Sequence, residues 1–166
     1  MPEAPRPDNE EQRLKALRNT GLLETPREER FDRIARIAKR IFDMPIVLIT
    51  LVDANRQWFL CNYGMGDVSE TPRSVSFCAY AILKNEMLLI EDATKDSRFA
   101  DNPVVTGKPG IRFYAGQPIT DQEGFSLGTL CLIDTKPRKM PVEDLIALRD
   151  LSKWVEYEIR KKAERR

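Results

Sequence analysis

The sequence predicts an α+β domain, in which an antiparallel sheet is joined by helices gathered toward the two ends of the chain. Three observations predict it. Two pairs of apolar runs are each split by a short polar turn, at 53–56 and 120–124, and such hairpins impose antiparallel pairing. Helical periodicity occupies residues 9–42 and the stretch after Pro141, outside the strand-rich middle. Helices segregated from strands in this way mark α+β order rather than α/β alternation.

Taken in order, residues 1–8 are proline-rich without an apolar pattern and are expected to be disordered, leaving residues 9–166 as a single domain. Residues 9–19 read as a short helix, with acidic residues leading, basic ones following and Gly21 just past its end. Thr25-Pro26-Arg27-Glu28 has the form of a capping box, and Phe31, Ile34, Ala35, Ala38, Ile41 and Phe42 follow at helical spacing on one face. Residues 45–52 are a continuous β-branched run and read as a buried strand, paired through a turn with 57–63. A loop is expected over 64–73, then a short helix over 77–84 capped by Ser74 or Ser76, and a strand at 87–91. The polar stretch 92–110 is a long connection with a helical turn near Ser97-Arg98-Phe99; connections of that length in a compact domain are usually functional. Strands over 111–119 and 126–134 form the second hairpin, and residues 141–166 form a long final helix. That helix carries two apolar stripes, one of Leu148, Leu151, Val155 and Ile159 and another of Ile146, Ala147 and Trp154, so one can dock on the sheet and one is left for a partner helix. Its end, through Arg165 and Arg166, is basic, which suits the helix dipole.

Composition removes several classes of function. A chain of 166 residues that is 42% hydrophobic and 32% charged is globular, and long enough to bury a real core. A net charge of +1 gives no global attraction to nucleic acid or to a membrane surface. No apolar run approaches the ~18–20 residues that a bilayer span requires, and the leading MPEAPRPDNEEQ has no apolar core of a signal peptide, so a cytoplasmic location is expected. The absence of histidine excludes Ser-His-Asp and Cys-His catalysis, histidine phosphotransfer and the common zinc and haem sites. Cys61, Cys78 and Cys131 are widely spaced with no CxxC pair, and no glycine-rich phosphate loop is present. No catalytic set, metal site or cofactor is expected.

Several ordered blocks carry a resemblance to a known family: LRNTGLLETPREERFDRIARIAKRIF, PIVLITLVDANRQWF, ETPRSVSFCAYAI, IEDATKDSRFADNPVVTGKPGIRFYAGQPI and LGTLCLID. From residue 17 to Asp134 the chain resembles a GAF domain of the kind found in bacterial sensor histidine kinases and diguanylate cyclases. The resemblance implies a PAS-related, six-stranded antiparallel sheet with helices on both faces and the terminal helices packed together on one of them. It implies a ligand pocket on the other face, under segments 73–84 and 92–112, and homodimers that signal through terminal helices to an output protein. Relatives of this type often read CAHAI where this chain has Cys78-Ala79-Tyr80-Ala81-Ile82, so a phenol stands in place of an imidazole.

The candidate ligand-binding residues follow from that placement. Trp58, Phe77, Tyr80, Phe99 and Tyr114 supply aromatic surface, Asp92, Arg98, Asn102 and Arg112 supply polar anchors, and Cys78 supplies a thiol in the first turn of a short helix near Arg73. The two arginines suit a carboxylate or phosphate, or else Arg98 clamps the loop by pairing with Asp92, Asp96 or Asp101. Cys78 is either a reactive thiol or a small packed side chain. Thr50, Thr129 and Gln117 are polar residues inside strands, facing a pocket or facing solvent. The stripe Leu148, Leu151, Val155 and Ile159 is the expected dimer interface. Three functions remain: a small-molecule sensor in a homodimer, a ligand-free dimerisation module, and a cysteine-dependent free methionine-R-sulfoxide reductase.

Overall fold

The computed structural model describes residues 3–164, with side chains to Lys161. Helix α1 (Glu10–Asn19) opens on Glu10 and Glu11 and has Arg18 in its last turn, each complementing the helix dipole. Helix α2 (Glu29–Phe42) buries Phe31, Ile34, Ala35, Ala38 and Phe42, the face that its periodicity marks out. Ile41, placed on that face by spacing, is 53% exposed, because it lies at the margin of the stripe. The capping box at Thr25 does not form. Thr25 Oγ1 donates back to the Leu22 carbonyl at 2.7 Å, and the helix starts after an extended Glu28.

The sheet contains β1 (Ile46–Val52), β2 (Arg56–Tyr63), β3 (Glu70–Pro72), β4 (Leu88–Ile90), β5 (Phe113–Thr120) and β6 (Ser126–Asp134). Its order is β3-β2-β1-β6-β5-β4, with every neighbouring pair antiparallel. The sixth strand, β3, lies in the stretch expected to be a loop; its three residues form an edge and carry no apolar signal. β1 and β6 are central and buried along their whole length, which is why they read as continuous apolar runs. Between the strands lie α3 (Cys78–Ala81) and α4 (Pro103–Thr106), and α5 (Val142–Glu164) closes the domain.

Two cores sit on opposite faces of the sheet. On one, α1, α2 and α5 cover Val47, Ile49, Leu51, Phe113, Ala115, Leu130 and Leu132. On the other, α3 and the 92–112 segment cover Leu48, Phe59, Tyr114, Cys131 and Ile133. The terminal helices therefore share one face, and the irregular segments roof the other.

Two expectations are corrected by this packing. The stripe expected at a dimer interface is the docking face of α5: Leu148 and Val155 are wholly buried, Ile159 is nearly so, and Leu151 packs partly buried beside them. The sheet and α2 already cover it, so the outward apolar residues of α5 are Val142, Ile146 and Tyr157. Polar clasps hold the helix in that orientation. Glu156 Oε2 accepts from Thr120 N at 2.7 Å and from Thr120 Oγ1 at 3.0 Å, and Arg30 donates to the Glu158 carbonyl. The leading segment, expected to be disordered, touches the domain at two points: Ala4 is buried, and Arg6 donates to Glu10 Oε2 and Asn55 Oδ1, each at 3.2 Å. The basic terminus at Arg165 and Arg166 lies outside the described residues.

Candidate functional site

Alternation along the strands decides which side chains point under the roof. Leu48, Tyr114, Cys131 and Ile133 do, and above them lie Phe77 and Cys78 at the start of α3, Val104 in α4 and Ile111 in the segment after it. Between these layers lies a cavity of about 50 Å³, walled also by Gln57, Phe59, Met65, Thr71, Val75 and Ser76. The walls are apolar with a few polar points, which is the make-up of small-molecule sites, but the space is far below the ~300 Å³ at which drug-sized pockets begin. A larger depression of about 460 Å³ lies elsewhere, between α1, the β5–β6 turn and the end of α5.

One end of the cavity is a buried polar cluster. Cys78 Sγ is 3.1 Å from Tyr114 Oη and 3.0 Å from Thr129 Oγ1, and Thr129 Oγ1 is 3.1 Å from Thr50 Oγ1. Burial pushes the Cys78 thiol upward, yet hydrogen bonds from Cys131, Thr129, Tyr114 and Thr50 together outweigh it and bring the group down to about 6 from 9.0. Its neighbours move the other way, with Cys131 and Tyr114 both raised, first by their own burial and then by Cys78. Arg73, expected to add positive charge beside Cys78, instead turns away to Glu10. At the other wall Ser76 donates its hydroxyl to Gln57 Oε1 and accepts from Ala79 N at 3.2 Å. The geometry presents hydroxyls, an amide and two thiols to a single small space. It offers no charged anchor there, and no group of metal-ligating side chains occurs among the described residues.

The ten expected binding residues divide accordingly. Phe77, Cys78 and Tyr114 line the cavity, and Phe99 stacks behind Phe77 with ring centroids 4.2 Å apart. Tyr80 sits edge-on to Phe99, outside the cavity. Arg98 is exposed and pairs with Asp96 at 2.8 Å, the loop clamp rather than a ligand anchor. Asp92, Asn102 and Arg112 hold the roof in shape. Asp92 Oδ1 accepts from Thr94 N at 3.0 Å. Asn102 accepts from Val104 N and donates to the Val75 carbonyl, both at 3.0 Å. Arg112 donates to the carbonyls of Val105 and Ile111, at 2.9 and 3.0 Å. Trp58 lies on the opposite face with the helices, since Gln57 and Phe59 take the cavity side of β2.

Sequence reading missed Gln57, Ser76, Thr71 and Cys131 as cavity residues, and left Thr50 and Thr129 undecided. The alternation Leu48-Thr50-Val52 and Thr129-Cys131-Ile133 was the available signal. Gln117 alternates instead with Ala115 and Ile119, on the helix side.

Gly116 explains why Tyr114 reaches the thiol. A Cβ at residue 116 would collide with the ring and hydroxyl of Tyr114, so only glycine leaves that space free. Gly116→Ala is therefore expected to displace the phenol. The readout is the rate of Cys78 modification by a small alkylating agent in a Cys61→Ser, Cys131→Ser background. The phenol's hydrogen bond helps hold that thiol down, so its loss is expected to slow modification at neutral pH by about tenfold; a rate equal to that of the parent would show that the phenol stays in place.

Comparison with known proteins adds the following. The GAF domain family profile matches residues 26–159. A cyclic di-GMP phosphodiesterase of Pseudomonas aeruginosa is 45% identical over 148 residues, covering 89% of this chain and 25% of that protein. The chain thus spans about a quarter of the length of that curated relative. The GAF domain of an Acinetobacter phosphoenolpyruvate-protein phosphotransferase superposes with a TM-score of 0.67 at 17% identity, over 93% of this chain and 94% of that one. A free methionine-R-sulfoxide reductase from Neisseria meningitidis, in complex with its substrate, superposes with a TM-score of 0.65 at 15% identity, over 99% and 98% of the two chains. Those two likenesses establish the fold.

Proposed function

The chain belongs to the GAF domain family, and from that premise we propose that it is a sensory module of bacterial signal transduction whose roofed cavity takes a small molecule. The single observation that carries this reading is the buried polar cluster of Cys78, Tyr114, Thr129 and Thr50 at the end of a space large enough to hold a few atoms. A buried cluster of hydroxyls and thiols beside free volume is the arrangement in which a ligand's own donor or acceptor can be satisfied. The closed form suits an uncharged polar ligand of a few non-hydrogen atoms, and a larger one requires the 92–112 roof to lift. A ligand that prefers one roof arrangement shifts the population of states, and the terminal helices on the far face pass the shift on. The 45% identical relative named a cyclic di-GMP phosphodiesterase supports a place as regulatory input to a signalling enzyme. In a homodimer the surface left for a second copy is Val142, Ile146 and Tyr157, the exposed apolar side of α5.

The small volume favours one other reading, a ligand-free module whose cavity is filled by its own side chains. The reductase reading draws less support. Cys61 lies on the helix side of the sheet, held protonated by burial and by its hydrogen bond to Asp32, while Cys78 and Cys131 lie under the roof. Cys61 is therefore not placed to condense with a sulfenic acid at Cys78, and the neighbouring Cys131 is raised by its burial and by Cys78, the wrong direction for a resolving thiolate.

A thermal-shift panel of small metabolites separates the two main readings. A binder present at about 100 times its Kd stabilises the fold by ~2.7 kcal/mol, which is about 5–10 °C in Tm for a chain of this size. The shift should fall in Tyr114→Phe, which removes a hydroxyl of the cluster that lines the cavity. A broad panel that moves nothing would leave the ligand-free module standing.

A further inference from the structure

The wall of the cavity is joined to α1 by charge. The 3-10 turn Arg73–Val75 supplies Val75 to that wall, and the next residue, Ser76, supplies another part of it. Arg73 itself is almost wholly buried, and its guanidinium passes around the end of the sheet to the helix side. Arg73 Nη1 donates to Glu10 Oε2 at 2.5 Å and to the Asp53 carbonyl at 3.0 Å, and Nη2 donates to Glu10 Oε1 at 3.4 Å. Glu10 is the first residue of α1. Its carboxylate also accepts from Arg13 Nε at 2.8 Å, and the equally buried Arg13 donates to the Ser126 carbonyl at 3.2 Å.

The charge count decides how stiff this joint is. Arg6, Arg13 and Arg73 all point at one carboxylate, and the Asp53 carboxylate is taken by Arg56 at 3.0 Å. If the turn moved and α1 did not, a buried guanidinium would lose the one counter-ion it has among the described residues, which is among the costliest events in a protein interior. The turn and the first turn of α1 therefore move together or not at all. On the roof side the turn is gripped as well, through Asn102 Nδ2 on the Val75 carbonyl at 3.0 Å.

We infer that the Arg73–Glu10 pair is the element through which the cavity acts on the first terminal helix: displacement of the Val75–Ser76 wall loosens or reseats the start of α1. What displaces the wall rests on the small-molecule reading above, while the coupling rests on the ion pair alone.

The test needs no ligand. Amide hydrogen exchange is measured on the full chain and on Glu10→Gln. Amides of Arg73, Ser76, Tyr80 and Ile82 are expected to exchange about tenfold faster or more, with those of β6 unchanged. If α1 alone speeds up while residues 73–82 keep their original rates, the inference is overturned. Because Glu10→Gln removes the counter-ion of two buried arginines, a second variant runs the coupling in reverse. Ser76→Ala perturbs only the cavity wall, and the amides of residues 13–17 in α1 are then expected to exchange about tenfold faster, again with β6 unchanged. Unchanged exchange in α1 in that variant overturns the inference. Failure here leaves the thermal-shift result intact, and a silent ligand panel leaves the exchange pattern intact, so the two readings fail separately.

Discussion

Replacing Glu10 with glutamine is expected to cost about 3 kcal/mol at neutral pH, a fall of about 6–12 °C in Tm. The cause is the imbalance at the end of the sheet, where Arg13 and Arg73, exposed by only 1% and 3%, share this one carboxylate. Burial alone would raise the Glu10 carboxyl, but hydrogen bonds and charge from Arg13 and Arg73 hold it at about 2, against an ordinary value of 4.5. A carboxyl depressed in the folded state stabilises above its unfolded value and loses that contribution as pH falls through its folded value. The stabilisation is therefore fully present above about pH 5 and disappears between about pH 4.5 and 2. Urea unfolding of the parent and of Glu10→Gln across that range is the check. The two midpoints should converge as the pH drops toward 2. A gap that stays constant down to pH 2 would mean that the carboxylate charge contributes nothing.

Gly128→Ala is expected to be more damaging still, with a loss of at least about 4 kcal/mol and little soluble protein. Gly128 stands in β6 opposite Leu51 of β1, the two central strands of the sheet. A Cβ there would run into the carbonyl of Thr50, on the backbone of β1. A flexible side chain could swing aside, but a strand inside a hydrogen-bonded ladder cannot. The substitution forces β1 and β6 apart, and both cores are built on those strands. A Gly128→Ala protein that melts with the parent would show that the ladder yields at this point after all.

Most of the architecture was legible because it is written in burial. The strands over 46–52 and 126–134 are continuous apolar runs because both of their faces are covered, and α2 shows its buried face at every turn. What could not be read had no hydrophobic signal. β3 is three residues at an edge, Glu70-Thr71-Pro72, none of them buried. α4 begins at Asn102-Pro103, a capping residue before a proline, and that signal was hidden within a long polar stretch. The candidate site was half legible for a related reason. Aromatic residues mark cores without saying which core: of those expected at the pocket, Phe77 and Tyr114 line the cavity, whereas Trp58 packs on the opposite face. The bulge between β1 and β2, where Leu60 and Cys61 both turn to the helix side, breaks the alternation that would have sorted them. Charged residues misled in another way. Arg98, Arg112 and Asp92 have the chemistry of ligand anchors, but each is consumed within its own segment.

The sheet ends at both margins in strands of only three residues, β3 and β4. A free margin that short offers a neighbouring molecule too few unpaired amides and carbonyls to extend the ladder, so the domain resists fibrillar stacking without needing a charged guard along its rim. Self-association is thereby steered away from the β layer and onto the helical side. There it can stop at a closed pair rather than run on into a polymer.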